Sequence, residues 1–210
     1  MKQSPEELLA RAYALSDEAE AKALYRDWAT TYDSAMLDGL GYLTPACTAS
    51  SLADSLQDTN ARILDVGCGT GLAGVELASR GFKQIDALDF SPEMLDVAGA
   101  RGIYAERIEA DLNAPLALAD ASYHAMICTG TFTHAHVGAA CLDELFRVLR
   151  PGGLFACTVH KDVWQPAGFE DKIAELEQAG TLEVLVHEPG TYYAASTQSE
   201  GFYILWRRPA

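Results

Sequence analysis

Basic residues are scarce in this sequence. Fifteen lysines and arginines stand against 30 aspartates and glutamates, which gives a formal net charge of −15. Affinity for nucleic acid depends on Lys and Arg displacing counterions from phosphates, so this charge balance disfavours a nucleic-acid substrate. The basic pair near the chain end, Arg207 and Arg208, is too small to form a binding patch. We therefore expect no nucleic-acid partner.

Long hydrophobic runs and paired cysteines are also missing. No apolar stretch is long enough to span a bilayer, and the charged N-terminus lacks the apolar core of a signal peptide. We therefore expect no membrane contact and a cytoplasmic location. The cysteines are odd in number and lack a Cys-x-x-Cys pair, so we predict reduced thiols that pack as small hydrophobes, without a disulfide or a zinc site. They are Cys47, Cys68, Cys128, Cys141 and Cys157.

The sequence has the composition of a globular chain, with 49% hydrophobic and 21% charged residues among 210. Its first part is predicted to be helical, since Leu24, Trp28 and Tyr32 recur at helical spacing and Gly39 and Gly41 then end the pattern. We assign residues 1–43 to an N-terminal helical lid. Residues 44–210 are then the main domain.

Strand and helix signals alternate along the main domain. The last two predicted strands have no helix between them, which implies that the final strand is antiparallel. The sequence thus predicts an α/β fold, a Rossmann-like seven-stranded, mostly parallel sheet with an antiparallel last strand and helices on both faces. Strands are expected at 63–66, 85–90, 104–110, 123–128, 154–159, 181–187 and 201–206, and helices at 45–56, 72–80, from 92 onward, at 137–149 and at 169–178.

A glycine-rich loop follows the first predicted strand and precedes a helix. Glycines allow positive φ and close backbone approach, and the helix start offers free N–H groups at the edge where such sheets bind ligands. Asp89, at the end of the next strand, has the offset of an acid that binds ribose hydroxyls. Because Gly69, Gly71 and Gly74 also fit the dinucleotide pattern G-x-G-x-x-G, the loop alone predicts a nucleoside-containing cofactor and no more.

Three further features favour S-adenosylmethionine over a dinucleotide. Asp65 puts a carboxylate at the loop, which suits an ammonium and a sulfonium better than a pyrophosphate. Asp111 ends the third strand, where it can accept a hydrogen bond from an adenine amino group. No second domain follows that would hold a hydride acceptor.

At this point the chain resembles the class I S-adenosylmethionine-dependent methyltransferases. The resemblance lies in four motifs that occur in order, at 65–71, 89–91, 110–112 and 150–153. Segments 28–33, 40–42, 130–134 and 154–159 are similar, more narrowly, to the Williams–Beuren syndrome region methyltransferase-like proteins.

The resemblance implies cofactor contacts along the motifs. The loop 67–71 would face the methionine moiety, Asp89 the ribose, and Asp111 the adenine amino group; the apolar members of the set could instead belong to the core. Trp28 and Tyr32 could place aromatic faces near the sulfonium or simply pack the lid onto the domain. The full set is Trp28, Tyr32, Asp65, Gly67, Cys68, Gly69, Gly71, Leu72, Asp89, Phe90, Ser91, Met94, Asp111, Leu112, Cys128, Thr129 and Gly130.

The methyl acceptor is expected beside the segment 128–134, after the fourth strand. The segment lacks the Asp/Asn-Pro-Pro-aromatic motif of enzymes that methylate planar amino groups, which disfavours adenine or glutamine amide as acceptor. His134 is the candidate catalytic base, and the alternative is a loop-capping histidine. His134 and His136 have no evident third partner, so no metal site is expected. His160 and the tyrosines at 192–193 are further candidates for the acceptor pocket.

These observations predict an S-adenosylmethionine-dependent methyltransferase that acts on a small-molecule acceptor by in-line methyl transfer. Two alternatives stay open from the sequence. One is a catalytically silent S-adenosylmethionine-binding scaffold protein. The other, weaker alternative is a nicotinamide-dependent oxidoreductase. The sequence does not predict an oligomeric state.

Overall fold

The computed structural model of the chain describes Glu7, Ala10, Arg11, Leu24, residues 32–133 and residues 137–210. A π-helical turn spans Ser34–Gly39. The α-helices are α1 (Thr44–Ser55), α2 (Leu72–Ser79), α3 (Pro92–Ala100), α4 (Cys141–Val148), α5 (Lys161–Trp164) and α6 (Phe169–Gln178). The strands are β1 (Arg62–Val66), β2 (Gln84–Asp89), β3 (Arg107–Glu109), β4 (Tyr123–Phe132), β5 (Leu149–His160), β6 (Glu183–Gly190) and β7 (Gly201–Arg207).

The seven strands form one sheet in the order β3-β2-β1-β4-β5-β7-β6. Strands β1 to β5 pair in parallel, whereas β7 is antiparallel to both of its neighbours, β5 and β6. The predicted fold class is therefore confirmed, including the antiparallel last strand. The order of the strands along the sheet reverses between β1 and β4. The chain therefore leaves the carboxyl ends of these two strands toward helices on opposite faces of the sheet, and a crevice forms between them.

Each face of the sheet carries its own apolar core. On one face, Leu52 of α1 and Leu77 of α2 pack with Ile63 and Ile85 of the sheet. On the other face, helices α4 and α6 cover a larger cluster that is rich in aromatic side chains and includes Trp206. Burial on both faces explains why the central strands read as continuous apolar runs in the sequence.

Most predicted elements form close to their expected positions. Ser91 caps α3 as predicted, since its Oγ accepts a hydrogen bond from the Met94 N–H at 3.3 Å and Pro92 occupies the first turn. The five cysteines are free thiols; four are buried as predicted, whereas Cys47 is exposed and does not pack as a small hydrophobe. No helix among the described residues is both long and apolar enough to cross a membrane.

Several elements differ from the prediction, and β4 continues to Phe132. The strand expected over 104–110 is shorter, since β3 begins at Arg107; Ala105 and Glu106 still bond to the main chain of β2, and Tyr104 packs beneath the glycine loop. The helix expected over 137–149 begins at Cys141, and Leu149 already opens β5. The short helix α5 was not predicted, since four residues are too few to show a helical period.

A buried carboxylate ties the amino-terminal ends of the strands together. Asp86 is 1% exposed, and its Oδ2 accepts hydrogen bonds from Arg62 Nε at 2.7 Å and from the Tyr123 hydroxyl at 2.9 Å. Its Oδ1 accepts from the Glu106 N–H at 3.1 Å. One side chain of β2 is thereby bonded to β1, to β4 and to the segment before β3.

We expect Asp86→Ala to lower the free energy of unfolding by about 2–4 kcal/mol, because buried donors lose their acceptor. Tyr123→Phe removes one of these hydrogen bonds and keeps the packed ring, so it should cost about 1 kcal/mol. Urea unfolding followed by circular dichroism measures both. Equal stability of Asp86→Ala and the wild type would contradict the assignment.

Candidate functional site

A cleft of about 920 Å³, part of it open to solvent, lies at the carboxyl ends of β1, β2 and β4. The glycine loop forms its floor, and the segments after β2 and β3 together with the end of β4 form its walls. Its lining residues are Tyr32, Tyr42, Pro45, Gly67, Cys68, Gly69, Thr70, Leu72, Leu88, Asp89, Phe90, Met94, Ala110, Asp111, Leu112, Asn113, Thr129, Gly130, Thr131 and Val137.

Asp89 is the best-fixed polar group of the cleft. Its Oδ2 accepts a hydrogen bond from the Gly69 N–H at 2.8 Å, and its Oδ1 accepts from the Ser91 N–H at 2.9 Å. Burial raises the pKa of Asp89, and the backbone N–H donors oppose that rise. Each carboxylate oxygen can accept more than one hydrogen bond, so both remain able to accept from ligand hydroxyls.

Three glycines of the loop, Gly67, Gly69 and Gly71, have a positive φ, and the first two line the cleft. Gly67 has a φ of 62°, and a Cβ there would lie 2.1 Å from Thr131 Oγ1. Gly69 has a φ of 53°, and a Cβ there would meet nothing within 4 Å, so the bare backbone of this residue faces the open cleft. A ligand can therefore approach the main chain at Gly69 closely.

The charge of the lining has one sign. Among the described residues that line the cleft, Asp89 and Asp111 are the charged ones, and both are acidic. Asp111 Oδ1 accepts a hydrogen bond from the Asn113 N–H at 2.8 Å, which fixes it at the end of β3. A pyrophosphate would find no cationic side chain in this lining, whereas a ligand with an ammonium and a sulfonium is attracted to it. The residues that line the cleft therefore fit S-adenosylmethionine.

Asp65 lies beneath the loop and not in the lining. It is 1% exposed, and its Oδ2 accepts a hydrogen bond from the Tyr104 hydroxyl at 2.6 Å. Burial raises the pKa of Asp65 to about 7, although the Tyr104 hydrogen bond acts in the opposite direction. This carboxyl therefore supports the loop from within the domain, and the acidic character of the cleft comes from other residues.

The predicted cofactor residues, including those described above, fall into three groups. Those that line the cleft are Tyr32, Gly67, Cys68, Gly69, Leu72, Asp89, Phe90, Met94, Asp111, Leu112, Thr129 and Gly130. Those that lie outside the lining are Asp65, Gly71, Ser91 and Cys128; Gly71 and Ser91 precede helices, and Cys128 is fully buried in the core. Trp28 and the candidate base His134, together with His136, lie outside the described residues.

Residues 32–43, which we call the cap segment, cover one side of the cleft. Tyr42 pairs with Tyr193 in an isolated antiparallel bridge, and their rings lie 5.6 Å apart. The Leu43 N–H donates to the Tyr192 carbonyl at 2.8 Å. Met36, Tyr42 and Tyr192 are buried together, so the cap segment is packed onto the loop before β7.

Sequence reasoning missed several residues of the cleft. Tyr42, Thr70, Thr131 and Asn113 line it but are absent from the predicted set of cofactor residues, although the first three lie in segments that carry the resemblance. Thr70 lies within the glycine loop, so its position was a usable signal. Tyr104 gave no signal, because it reaches the loop from a distant segment through tertiary contacts alone.

The comparisons with known proteins agree with this geometry. The family model of a methyltransferase domain matches residues 63–153. Human methyltransferase-like protein 27 is 33% identical over 184 residues, which cover 85% of this chain and 74% of that protein. A crystal structure of an S-adenosylmethionine-dependent methyltransferase from Mesorhizobium loti is 16% identical with a TM-score of 0.59, over 76% of this chain and 96% of that one.

The chain belongs to the class I S-adenosylmethionine-dependent methyltransferases, and its cofactor is S-adenosylmethionine. Within that class it is a relative of methyltransferase-like protein 27, so the resemblance to the methyltransferase-like proteins is confirmed. This result also decides between the two cofactor classes that the glycine pattern left open.

A second group of relatives matches a smaller part of this chain. The ubiquinone biosynthesis O-methyltransferase of Xylella fastidiosa is 36% identical over 109 residues, which cover 49% of this chain and 44% of that protein. The chain thus spans less than half the length of this relative.

The buried carboxyl of Asp65 should make stability depend on pH. A carboxyl whose pKa is higher in the folded state than in the unfolded chain binds more protons when folded, so stability falls as pH rises from about 4 to about 7. One pKa unit corresponds to about 1.4 kcal/mol, so between pH 5 and pH 8 the wild type should lose about 3 kcal/mol more than Asp65→Asn.

Urea unfolding at a series of pH values measures this difference. Tyr104→Phe is the matched variant, because it removes the donor that favours the ionised form, raises the pKa of Asp65 further and should extend the fall to higher pH. Parallel stability curves for the wild type and Asp65→Asn would contradict the assignment.

Proposed function

We propose that the cleft binds S-adenosylmethionine with its methionine end on the glycine loop and its adenosine end between β2 and β3. Asp89 would accept hydrogen bonds from the ribose hydroxyls, and Asp111 from the adenine amino group. Phe90, Met94 and Leu112 would flank the adenine ring. The observation that carries this proposal is the lining itself, in which a bare glycine backbone meets two carboxylates and no cationic side chain among the described residues.

The protein's task in this reaction is mainly geometric. S-adenosylmethionine supplies a methyl group that its positive sulfur already activates. What the chain must add is alignment of the acceptor with that methyl group and exclusion of water. A general base is needed only where the acceptor must first lose a proton, and His134 remains our candidate for that role.

We propose further that the acceptor is a small molecule with an apolar body and an uncharged polar nucleophile. The described residues near the end of β4 and the cap segment offer hydroxyl groups and apolar surface, at Tyr42, Pro45, Thr129, Thr131 and Val137. The net charge of −15 disfavours a nucleic acid. The Xylella relative, an O-methyltransferase of ubiquinone biosynthesis, supports the same class of acceptor.

Asp89→Ala should weaken the binding of S-adenosylhomocysteine at least about tenfold, because ribose hydrogen bonds are lost and the loop loses its anchor at Gly69. Isothermal titration calorimetry measures the affinity. Asp96→Ala, an exposed acid on α3, makes the same charge change away from the cleft and should bind as the wild type does. NADH should give no saturable heat. Undiminished affinity in Asp89→Ala would remove the ribose assignment.

The acceptor class can be tested with methyl-labelled S-adenosylmethionine and a cell extract separated into small-molecule, protein and RNA fractions. We expect the label in the small-molecule fraction, and we expect it to disappear with Asp89→Ala. Label in protein or RNA would overturn the proposed acceptor class. Tight cofactor binding with no label in any fraction would favour the silent scaffold.

A further inference from the structure

The cap segment and the glycine loop are joined by a closed set of polar contacts. Asp33 Oδ1 accepts a hydrogen bond from the Thr70 hydroxyl at 2.5 Å, and Asp33 Oδ2 forms an ion pair with Arg101 Nη2. Arg101 Nε in turn donates to the Thr70 carbonyl at 2.5 Å. We call these three residues the clasp. Each contacts the other two, so removing any one of them breaks two links.

The clasp joins three parts of the chain that are far apart in sequence. Asp33 belongs to the cap segment, Thr70 to the glycine loop, and Arg101 follows the last turn of α3. The Arg101 side chain lies against the loop, since its Cδ is 3.2 Å from the point where a Cβ at Gly71 would be. Tyr32, the neighbour of Asp33, lines the cleft itself. The cap segment thus places Tyr32 in the cleft and the next residue, Asp33, in the clasp.

The clasp differs in kind from the other attachment of the cap segment. Toward β7, the cap segment is held by buried apolar side chains that include Met36, Tyr42 and Tyr192. At the glycine loop it is held by charged side chains that are 36% exposed at Asp33 and 23% exposed at Arg101. Thr70 is 1% exposed, and Tyr32 and Leu72 pack against the same apolar cluster, so this end of the cap segment combines an exposed ion pair with apolar contacts. The ion pair is the part that water can replace without exposing apolar surface, and its loss weakens the attachment of the cap segment to the loop.

We propose that the clasp holds Tyr32 over the cleft and thereby sets the rate at which the cofactor leaves. Asp33 and Arg101 are positioning residues in this proposal, since they act on the cleft through Tyr32 and Thr70. The proposal rests on the cofactor site described under Proposed function. Opening of the clasp would release the cap segment from the loop, and closing would exclude water from the bound cofactor.

The test is the dissociation rate of S-adenosylhomocysteine, measured by stopped-flow tryptophan fluorescence. Asp33→Asn and Arg101→Gln should each speed dissociation about tenfold. The double variant should be faster than the single ones by less than the two effects combined, because both changes remove the same Asp33–Arg101 ion pair and only the separate contacts with Thr70 are left to add. Arg101→Lys keeps the charge but not the forked donors and should fall between the wild type and Arg101→Gln.

Two controls separate this role from general stability. Arg107→Gln breaks an exposed ion pair with Asp96 and should leave the dissociation rate unchanged. Added salt should speed dissociation from the wild type more than from the double variant, because the double variant lacks the Asp33–Arg101 ion pair that salt screens.

The outcomes distinguish the two proposals. If the wild type does not bind S-adenosylhomocysteine, the cofactor site itself is wrong. If the wild type binds it and the single variants release it at the wild-type rate, or the two changes act additively, the clasp is overturned and the cofactor site stands.

Discussion

The site depends on one carboxylate that bridges two strand ends. Asp89 accepts hydrogen bonds from the Gly69 N–H, in the loop after β1, and from the Ser91 N–H, at the start of α3. Parallel pairing of β1 and β2 makes this possible, because both carboxyl ends then lie at the same edge of the sheet. Burying an acid is costly, and these N–H donors offset part of that cost. The shape of the glycine loop and the position of the negative charge are therefore fixed together, before any ligand binds.

That fixed charge explains the choice of cofactor better than the glycine pattern does. The pattern 69–74 suits a dinucleotide as well, and Asp65 is one of the three sequence features that favour S-adenosylmethionine over a dinucleotide. The structure places Asp65 under the loop, where it contacts Tyr104. We propose that the discrimination comes instead from Asp89 and Asp111, which line the cleft at two successive strand ends. The conclusion that the cofactor is S-adenosylmethionine does not depend on Asp65. The alternation of strands and helices brings the carboxylates of neighbouring strands to the same edge of the sheet.

The sheet and most of the cleft could be predicted from the sequence because their signals are local. Each of these signals is formed by residues only a few positions apart: the apolar runs, the Ser91–Pro92 helix start and the glycine loop. The misplaced boundaries lack such a signal: β3 is a short edge strand that few contacts define, and α5 is a single turn. The position of β7 between β5 and β6 and the reach of Tyr104 and Arg101 to the loop are tertiary facts. No spacing in the sequence encodes them, since each joins segments that are distant along the chain.

The local features and the tertiary features serve different parts of the reaction. In the proposed site, recognition of the cofactor would use backbone N–H groups and carboxylates at strand ends, which the fold supplies once the sheet forms. The donor is already activated, so the remaining requirement is a closed, aligned environment for the methyl group. That requirement falls on the cap segment and on the end of β4, which meet across the cleft at Tyr42 and Gly130, where a Cβ on the glycine would lie 2.7 Å from the tyrosine hydroxyl. Specificity for the acceptor is thus expected to depend on contacts between segments, and the sheet can stay constant while those contacts change.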